Sequence, residues 1–167
     1  MNVETLEDLF GYQLQHVYYA ERTHVELLEE MAADGATDEL GARFDEHREQ
    51  TERHVERIEQ VFEALGQRPR ASRTRTVDGL ADARRARRES ANGGTAVPGD
   101  IEIGMLAERL EIRSYEMLLR LAGRLGFAND VVEPLEAILE EERETLQEFE
   151  DLETEQSILE TLKAEEA

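Results

Sequence analysis

The stretch that decides the fold is MLAERLEIRSYEMLL, residues 105–119, in which apolar side chains recur every three or four positions. That spacing places the apolar side chains on one face of an α-helix. Glu108 and Glu111 fall on the same face, where an ionised carboxylate is costly unless it is paired or bound to a cation. The stretch therefore predicts a core helix with two inward-facing acidic groups.

Three other long segments show the same spacing, so the chain is predicted to be all-α. The sequence has no Trp and only 5% aromatic residues, so its core would consist mainly of aliphatic side chains. Such a core suits helices. The helices are expected at about 5–33, 38–65 and 100–125, with a fourth that follows a turn at 126–130 and ends near 155.

Local signals mark several helix ends. Thr5 with Asp8 is typical of a capping box, and Asp100 is a typical N-cap. Pro134 is expected in the first turn of the fourth helix, where a missing amide does little harm. The acidic tail, 156–167, is expected to fray.

The lengths of the connections predict the topology. The first two helices are joined by a few residues, as are the last two, so each pair is expected to form an antiparallel hairpin. The crossover segment, 67–99, is long enough to run along a bundle, and 77–90 has the pattern of a short extra helix. Two hairpins joined by one long crossover form the ferritin-like four-helix bundle. Residues 1–167 are therefore expected to be a single ferritin-like domain.

The composition restricts partners and habitat. The chain has 40 acidic against 19 basic residues and a formal net charge of -21, so it would repel nucleic acid and anionic lipid. We expect adaptation to a high-salt cytoplasm, because at ~1 M salt the screening length is only ~3 Å. No apolar run is long enough for a membrane span, and the N-terminus has no secretory pattern. The absence of cysteine excludes disulfides and thiolate ligands and fits a cytoplasmic location.

Each long helix places at least one polar residue on its apolar stripe. Several carboxylates in one dry centre cannot all stay ionised without positive charge. Carboxylates with one or two imidazoles suit iron or manganese, with zinc possible. The pattern predicts a metal centre, and the candidate residues on the stripes are Glu21, His24, His47, Thr51, His54, Glu108, Glu111 and Glu142.

Other interpretations of these residues stay open. The glutamates could instead form a buried ion-pair network with Arg109, Arg113 or Arg143. Glu141 could replace Glu142 in a shifted register. The remaining alternatives concern residues beside the stripes: Tyr18 and Tyr115 as core residues or as donors to ligating carboxylates, and Glu49, Glu52 and His16 as surface residues.

The same residues carry a family resemblance. The chain resembles the YciE/YciF-type ferritin-like stress proteins in four segments in the same order and in a short piece of the crossover. These segments are 18–21 (YYAE), 47–58 (HREQTERHVERI), 108–115 (ERLEIRSY), 140–142 (EEE) and 78–80 (DGL). The resemblance implies a helical ferritin-like fold, a homodimer, a di-metal site and a role in stress response. The metal ligands it implies are Glu21, His47, Glu108, Glu111 and Glu142.

The resulting functional hypothesis is a stress protein that holds two divalent ions, iron or manganese. Its expected chemistry is oxidation of Fe(II) or reduction of peroxide or dioxygen, with Glu108 and Glu142 bridging the ions and Glu21 and His47 as terminal ligands. The alternative hypothesis is a metal-free structural or interaction protein of osmotic or general stress response. The sequence assigns no catalytic residue and leaves open whether the chain is an enzyme.

Overall fold

The described residues form helices, as the sequence predicts. The structure, a computed structural model, describes residues 3–35, 37–90 and 97–165, which contain five helices and no strand. Residues 91–96 of the expected crossover and the end of the expected acidic tail lie outside this description. Within the described residues, no helix combines the length and apolarity that crossing a membrane demands. The helices are α1 (Leu6–Asp34), α2 (Asp38–Ala64), α3 (Arg75–Ser90), α4 (Val97–Leu125) and α5 (Asn129–Glu165).

The capping box predicted for the start of α1 is confirmed, and a glycine ends α2. The amide of Asp8 donates to the hydroxyl of Thr5 at 3.0 Å, and the amide of Thr5 donates to the carboxylate of Asp8 at 3.1 Å, which completes a capping box. After α2, Gly66 adopts φ 67°, and the next amide bonds the Phe62 carbonyl at 2.8 Å. Only glycine adopts this left-handed conformation without strain, so it ends α2 where the sequence predicts.

Two other predictions about helix ends are wrong. Asp100 is not the N-cap of α4, which begins three residues earlier at Val97. The Asp100 carboxylate is buried and accepts hydrogen bonds from Arg84 at 2.9 and 3.0 Å instead. Pro134 lies in the second turn of α5, because the Ala128 carbonyl already accepts helical hydrogen bonds and the helix begins at Asn129.

The long helices pack side by side in opposite directions. α1 packs against α2 and α4, and α5 packs against α2 and α4. Tyr18 stacks on Phe62, whereas six residues later His24 stacks on His47, so α1 and α2 are antiparallel. The connection between them is tight, since a Cβ on Gly35 would lie 2.8 Å from Gly41 Cα.

The core consists of two apolar clusters. One cluster contains residues of all four long helices, among them Phe10, Ile58, Leu118 and Ile138. The second contains other residues of the same helices and of α3: Leu28, Phe44, Ala81, Met105 and Phe149 belong to it. Each long helix therefore passes from one apolar cluster to the other, and its middle lies between them. The polar residues of the stripes lie in this middle layer.

The short helix α3 packs on α1 and α4 through a buried arginine. Arg84 is 2% exposed, and besides Asp100 its guanidinium bonds Asp34 at 3.1 Å and Glu30 at 3.3 Å. Tyr19 adds a second attachment by donating to Asp78 at 2.6 Å. The sequence around Arg84 does not indicate this role, because its partners are distant along the chain.

Replacing Arg84 with Met is expected to lower the free energy of unfolding by about 3–5 kcal/mol, because Asp100 would keep a buried charge without a partner. Urea denaturation measures this change. Arg85→Met is the matched control, since Arg85 is half exposed and pairs only with Glu30 among the contacts described for it. We expect its cost to stay below about 1 kcal/mol. Equal losses in the two variants would show that burial of the Arg84 pair is not what attaches α3.

Candidate metal centre

The five residues predicted as metal ligands all lie in the middle layer. Their side chains are buried, and two histidines that the sequence left as open candidates join them. Three groups of carboxylates and imidazoles have ligand atoms within 4.8 Å of one another. The groups are His24, His47 and Glu108; Glu21, His54 and Glu142; and Glu108, Glu111 and Glu142.

One end of the cluster is built by α1, α2 and α4. His47 Nε2 lies 3.3 Å and His24 Nε2 lies 3.9 Å from the same oxygen, Glu108 Oε1. The other ring nitrogen of His24, Nδ1, lies 3.0 Å from Glu111. Two imidazoles and a carboxylate thus converge on one small volume.

The other end is built by α1, α2 and α5. His54 Nδ1 lies 2.9 Å from Glu142 Oε1 and 3.5 Å from Glu21 Oε2. The third group joins the two ends, because Glu108 and Glu142 belong to it and also to one end each. The geometry is that of two adjacent ligand sets with two shared carboxylates between them.

Many of these atoms have no hydrogen-bond partner. Nine buried side-chain nitrogen and oxygen atoms of the cluster, on six residues, are unpartnered, although several lie close together. The histidine and carboxylate atoms among them lie 2.9–3.9 Å apart, close enough for ion pairs when the histidines are protonated. Burying such atoms without partners costs free energy, and each of them is a potential donor to a metal ion. The residues concerned are Glu21, His24, His47, His54, Glu108 and Glu142.

The electrostatics of the metal-free cluster are strained. Burial favours neutral His24 and His54, but neighbouring carboxylates outweigh it and raise the pKa of His24 to about 9 and that of His54 to about 11. Burial and the charge of His24 lower the pKa of His47 to about 3. Burial and the charge of Glu142 raise the pKa of Glu108 well above its usual value. The cluster therefore holds protons in positions where a cation would serve the same carboxylates.

Neighbouring residues fix the orientation of two members. Tyr115 is fully buried and donates to Glu21 Oε1, so it is both a core residue and a donor to a candidate ligand. Glu141 lies 2.8 Å from His54 Nε2 and accepts from Arg57 at 2.8 Å. It thus supports His54 from outside while Glu142 lies inside.

Two other candidates are engaged elsewhere. The Thr51 hydroxyl donates to the His47 carbonyl at 3.0 Å within its own helix. Tyr18 donates to Glu59 at 2.7 Å and not to a candidate ligand. Glu49 and Glu52 are exposed, as expected from their positions beside the stripe.

The rival arginine network is wrong. Arg109, Arg113 and Arg143 have side chains that are 54%, 67% and 56% exposed, and they pair with Glu150 or Glu116 at the surface. None of the three contacts the buried glutamates in the described contacts. The carboxylates of the middle layer therefore lack the counter-charge that this alternative requires.

The spacing of two histidines could have placed them in the site. His24 lies one turn after Glu21, and His54 lies two turns after His47, so both fall on the inward face of their helices. They stayed open at the level of the sequence because the family resemblance implies His47, and not these two histidines, as a ligand. Only the contacts between helices show that both reach the carboxylates.

Fold and cluster together define an all-helical protein with a buried centre of carboxylates and histidines. The chain belongs to the family described as a domain of unknown function, DUF892, whose family model matches residues 5–163. The resemblance to the YciF-type stress proteins is confirmed by a curated relative. This chain is 30% identical over 147 residues to Protein YciF of Escherichia coli strain K12. The matched region covers 87% of this chain and 88% of the relative.

Solved structures of relatives have the same fold. The structure of the E. coli stress protein YciF superposes with a TM-score of 0.83 at 28% identity, covering 91% of this chain and 96% of the other. YcfI from Rhodopseudomonas palustris, described as a candidate structural protein, gives a TM-score of 0.83 at 28% identity and covers 89% and 95%. This chain is therefore a YciF-like helical protein.

Replacing Glu108 with Met is expected to raise the free energy of unfolding of the metal-free protein by about 1–4 kcal/mol, because a buried, unpartnered carboxyl group disappears. Chemical denaturation in the presence of a chelator measures this. Glu140→Met, on the exposed neighbouring face of α5, should change stability by less than about 0.5 kcal/mol. A loss of stability in Glu108→Met would mean that this side chain stabilises the fold without a metal.

Proposed function

We propose that the middle layer binds two divalent metal ions, iron or manganese with zinc possible, as a di-metal carboxylate centre. The observation that carries this proposal is the set of nine buried nitrogen and oxygen atoms without hydrogen-bond partners. They belong to carboxylates and imidazoles, which are the side chains that iron and manganese prefer. Two ions would neutralise the carboxylates and use the free lone pairs.

The proposed frame for this centre is the ferritin-like four-helix bundle. α4 and α5 are antiparallel, since Arg109 pairs with Glu150 and Arg143 pairs with Glu116. α1 is antiparallel to both α2 and α4, so α2 and α4 run in the same direction. The chain between them has to return along the bundle, and α3 lies within that return. This supports two hairpins joined by a crossover helix.

The groups suggest which ligands each ion shares. Glu108 and Glu142 are proposed as the bridges, because each belongs to one end of the cluster and to the group between. Glu21 and His54 would complete the site nearer to α5. His24, His47 and Glu111 would complete the other site, so that Glu21 and His47 are terminal ligands of different ions.

The proposed activity is oxidation of Fe(II) coupled to reduction of peroxide or dioxygen during stress. When bound, a pair of ferrous ions carries the two electrons that reduce one peroxide to water. The chain's own residues prepare the site: the two apolar clusters exclude water, the Tyr115 hydroxyl orients Glu21, and Glu141 directs His54 Nδ1 towards the centre.

A metal-free structural function is the rival proposal. Two histidine–carboxylate contacts support it: His24 lies 3.0 Å from Glu111, and His54 lies 2.8 Å from Glu141. Protonated histidines in these pairs would neutralise some of the buried carboxylates. The rival leaves buried atoms of the cluster without hydrogen bonds, among them Nδ1 of His47, and for that reason we favour the metal centre.

Titration of the chelator-treated protein with Fe(II) without oxygen, or with Mn(II), tests the proposal. We expect two ions per chain by elemental analysis and a rise in the melting temperature on binding. Glu142→Gln should lose both ions, because it removes a bridge, and His54→Ala should lose one. Glu140→Gln changes the charge equally at an exposed neighbour and should bind like the wild type. If the wild type retains less than about a tenth of an equivalent, no site of useful affinity exists and the metal-free function is favoured.

We also propose that the chain is a homodimer in a high-salt cytoplasm. The net charge of -21 makes self-repulsion strong at low ionic strength, and salt screens it. Light scattering at micromolar protein in molar salt should give the mass of two chains. A single-chain mass under these conditions would refute the dimer.

A further inference from the structure

The two faces of the proposed centre differ in how they are covered. On the α1–α4 face, α3 packs across the outside, and Val77 and Leu80 lie over His24 and Glu111. The void that remains there measures about 10 Å³. A single water needs roughly 10–15 Å³ of such space, so this face is closed to anything larger.

The α2–α5 face has no such cover in the described part of the chain, where α3 contacts only α1 and α4. A cavity of about 110 Å³ lies between these two helices, more than ten times the void on the α3 side. Its inner wall includes His47 and Phe149, and its outer wall consists of exposed charged residues. The cavity therefore connects the surface with a member of the cluster.

His47 is the group that makes this cavity more than a surface groove. Its side chain is 6% exposed, and both ring nitrogens lack a hydrogen-bond partner. Nε2 lies 3.3 Å from Glu108 Oε1, inside the cluster, while the ring also lines the cavity. The imidazole thus stands between the cavity and the cluster.

A polar contact narrows the passage beside His47. The Thr145 hydroxyl on α5 donates to Gln50 Oε1 on α2 at 3.0 Å, and both residues line the cavity. The same hydroxyl also lies 3.0 Å from the Glu141 carbonyl of its own helix, so α2 and α5 are linked here by a shared hydrogen bond without an ion pair. Rotation of either side chain away from the other would open the passage beside His47, so the contact can act as a small gate.

The mouth of the cavity has an excess of negative charge. Three exposed glutamates line it, against two exposed arginines. A mouth with excess negative charge raises the local concentration of cations and their rate of arrival. The glutamates are Glu46, Glu144 and Glu148, and the arginines are Arg43 and Arg53.

We propose that the cavity between α2 and α5 is the route by which divalent metal ions enter and leave the centre, with His47 the first ligand that they meet. The inference rests on the proposed function and adds the path by which the ions reach the centre. The route runs past the glutamates at the mouth, between Thr145 and Gln50, to His47, and the opposite face is sealed by α3.

Stopped-flow mixing of the chelator-treated protein with Co(II), whose visible absorption reports binding, tests the mouth. Glu144→Gln combined with Glu148→Gln should lower the association rate by about ten-fold at low salt, with a smaller effect at high salt. The control, Glu56→Gln with Glu63→Gln, makes the same charge change at exposed positions of α2 away from the mouth. Equal rates for the two double variants would overturn the proposal.

Thr145→Leu tests the gate, because the larger apolar side chain fills the passage without removing a ligand. We expect association and dissociation of Co(II) to slow by the same factor of about ten, with the dissociation constant unchanged. Unaltered rates in a folded variant would contradict the route. Thr23→Val, an isosteric change beside the void under α3, should leave both rates unaltered. Slower rates in this variant would show that the ions pass through the α3 face instead.

A second readout needs no metal. Carbethoxylation of His47 by diethyl pyrocarbonate, followed by mass spectrometry, should slow several-fold in Thr145→Leu, with the partly exposed His16 as the internal reference. An unchanged ratio of the two rates would show that the cavity does not give access to His47. If the wild type binds no metal, the proposed function fails by titration, whereas this measurement still decides whether the cavity leads to the centre.

Discussion

The burial of ionisable side chains in the middle of a helical protein is the constraint on which the structure depends. Glu21, Glu108 and Glu142 are each 0% exposed, and His47 lies among them with no hydrogen-bond partner for either ring nitrogen. Transfer of such groups from water is unfavourable unless hydrogen bonds or a cation compensate. The fold keeps them there all the same, and the proposed metal ions would compensate this cost.

The apolar clusters make this constraint stronger. Each long helix contributes to a cluster on both sides of the polar layer, so water is excluded along the axis of the helices. α3 closes a third side through the buried Arg84 and its partners. On the opposite side, α2 and α5 contact each other but leave a cavity beside His47. A closed α3 side and a cavity on the opposite side would give the proposed centre a defined path for ions.

Much of the fold could be predicted from the sequence because its signals are local. The capping box of Thr5 and Asp8 and the three-four spacing of the apolar residues act within a few residues of each other. The same periodicity placed all five predicted ligands on inward faces, and the structure finds all five buried.

The parts that sequence reasoning missed depend on contacts between distant residues. Asp100 has the chemistry of an N-cap, and only its pairing with Arg84 shows that it belongs to a buried ion pair. His24 and His54 had the right spacing, but their roles depend on carboxylates from other helices. The cavity beside His47 is formed by side chains of α2 and α5 together, so no single helix predicts it. Periodicity gives the direction of a side chain, and packing decides what it meets.

Anomalous X-ray scattering from a crystal of the protein loaded with Mn(II) tests the central claim most directly. The account predicts two anomalous peaks in the middle layer, one bounded by Glu21 and His54 and the other by His24 and His47, with Glu108 and Glu142 between the peaks. A loaded crystal without a peak among these residues, or with peaks only at the acidic surface, would contradict it.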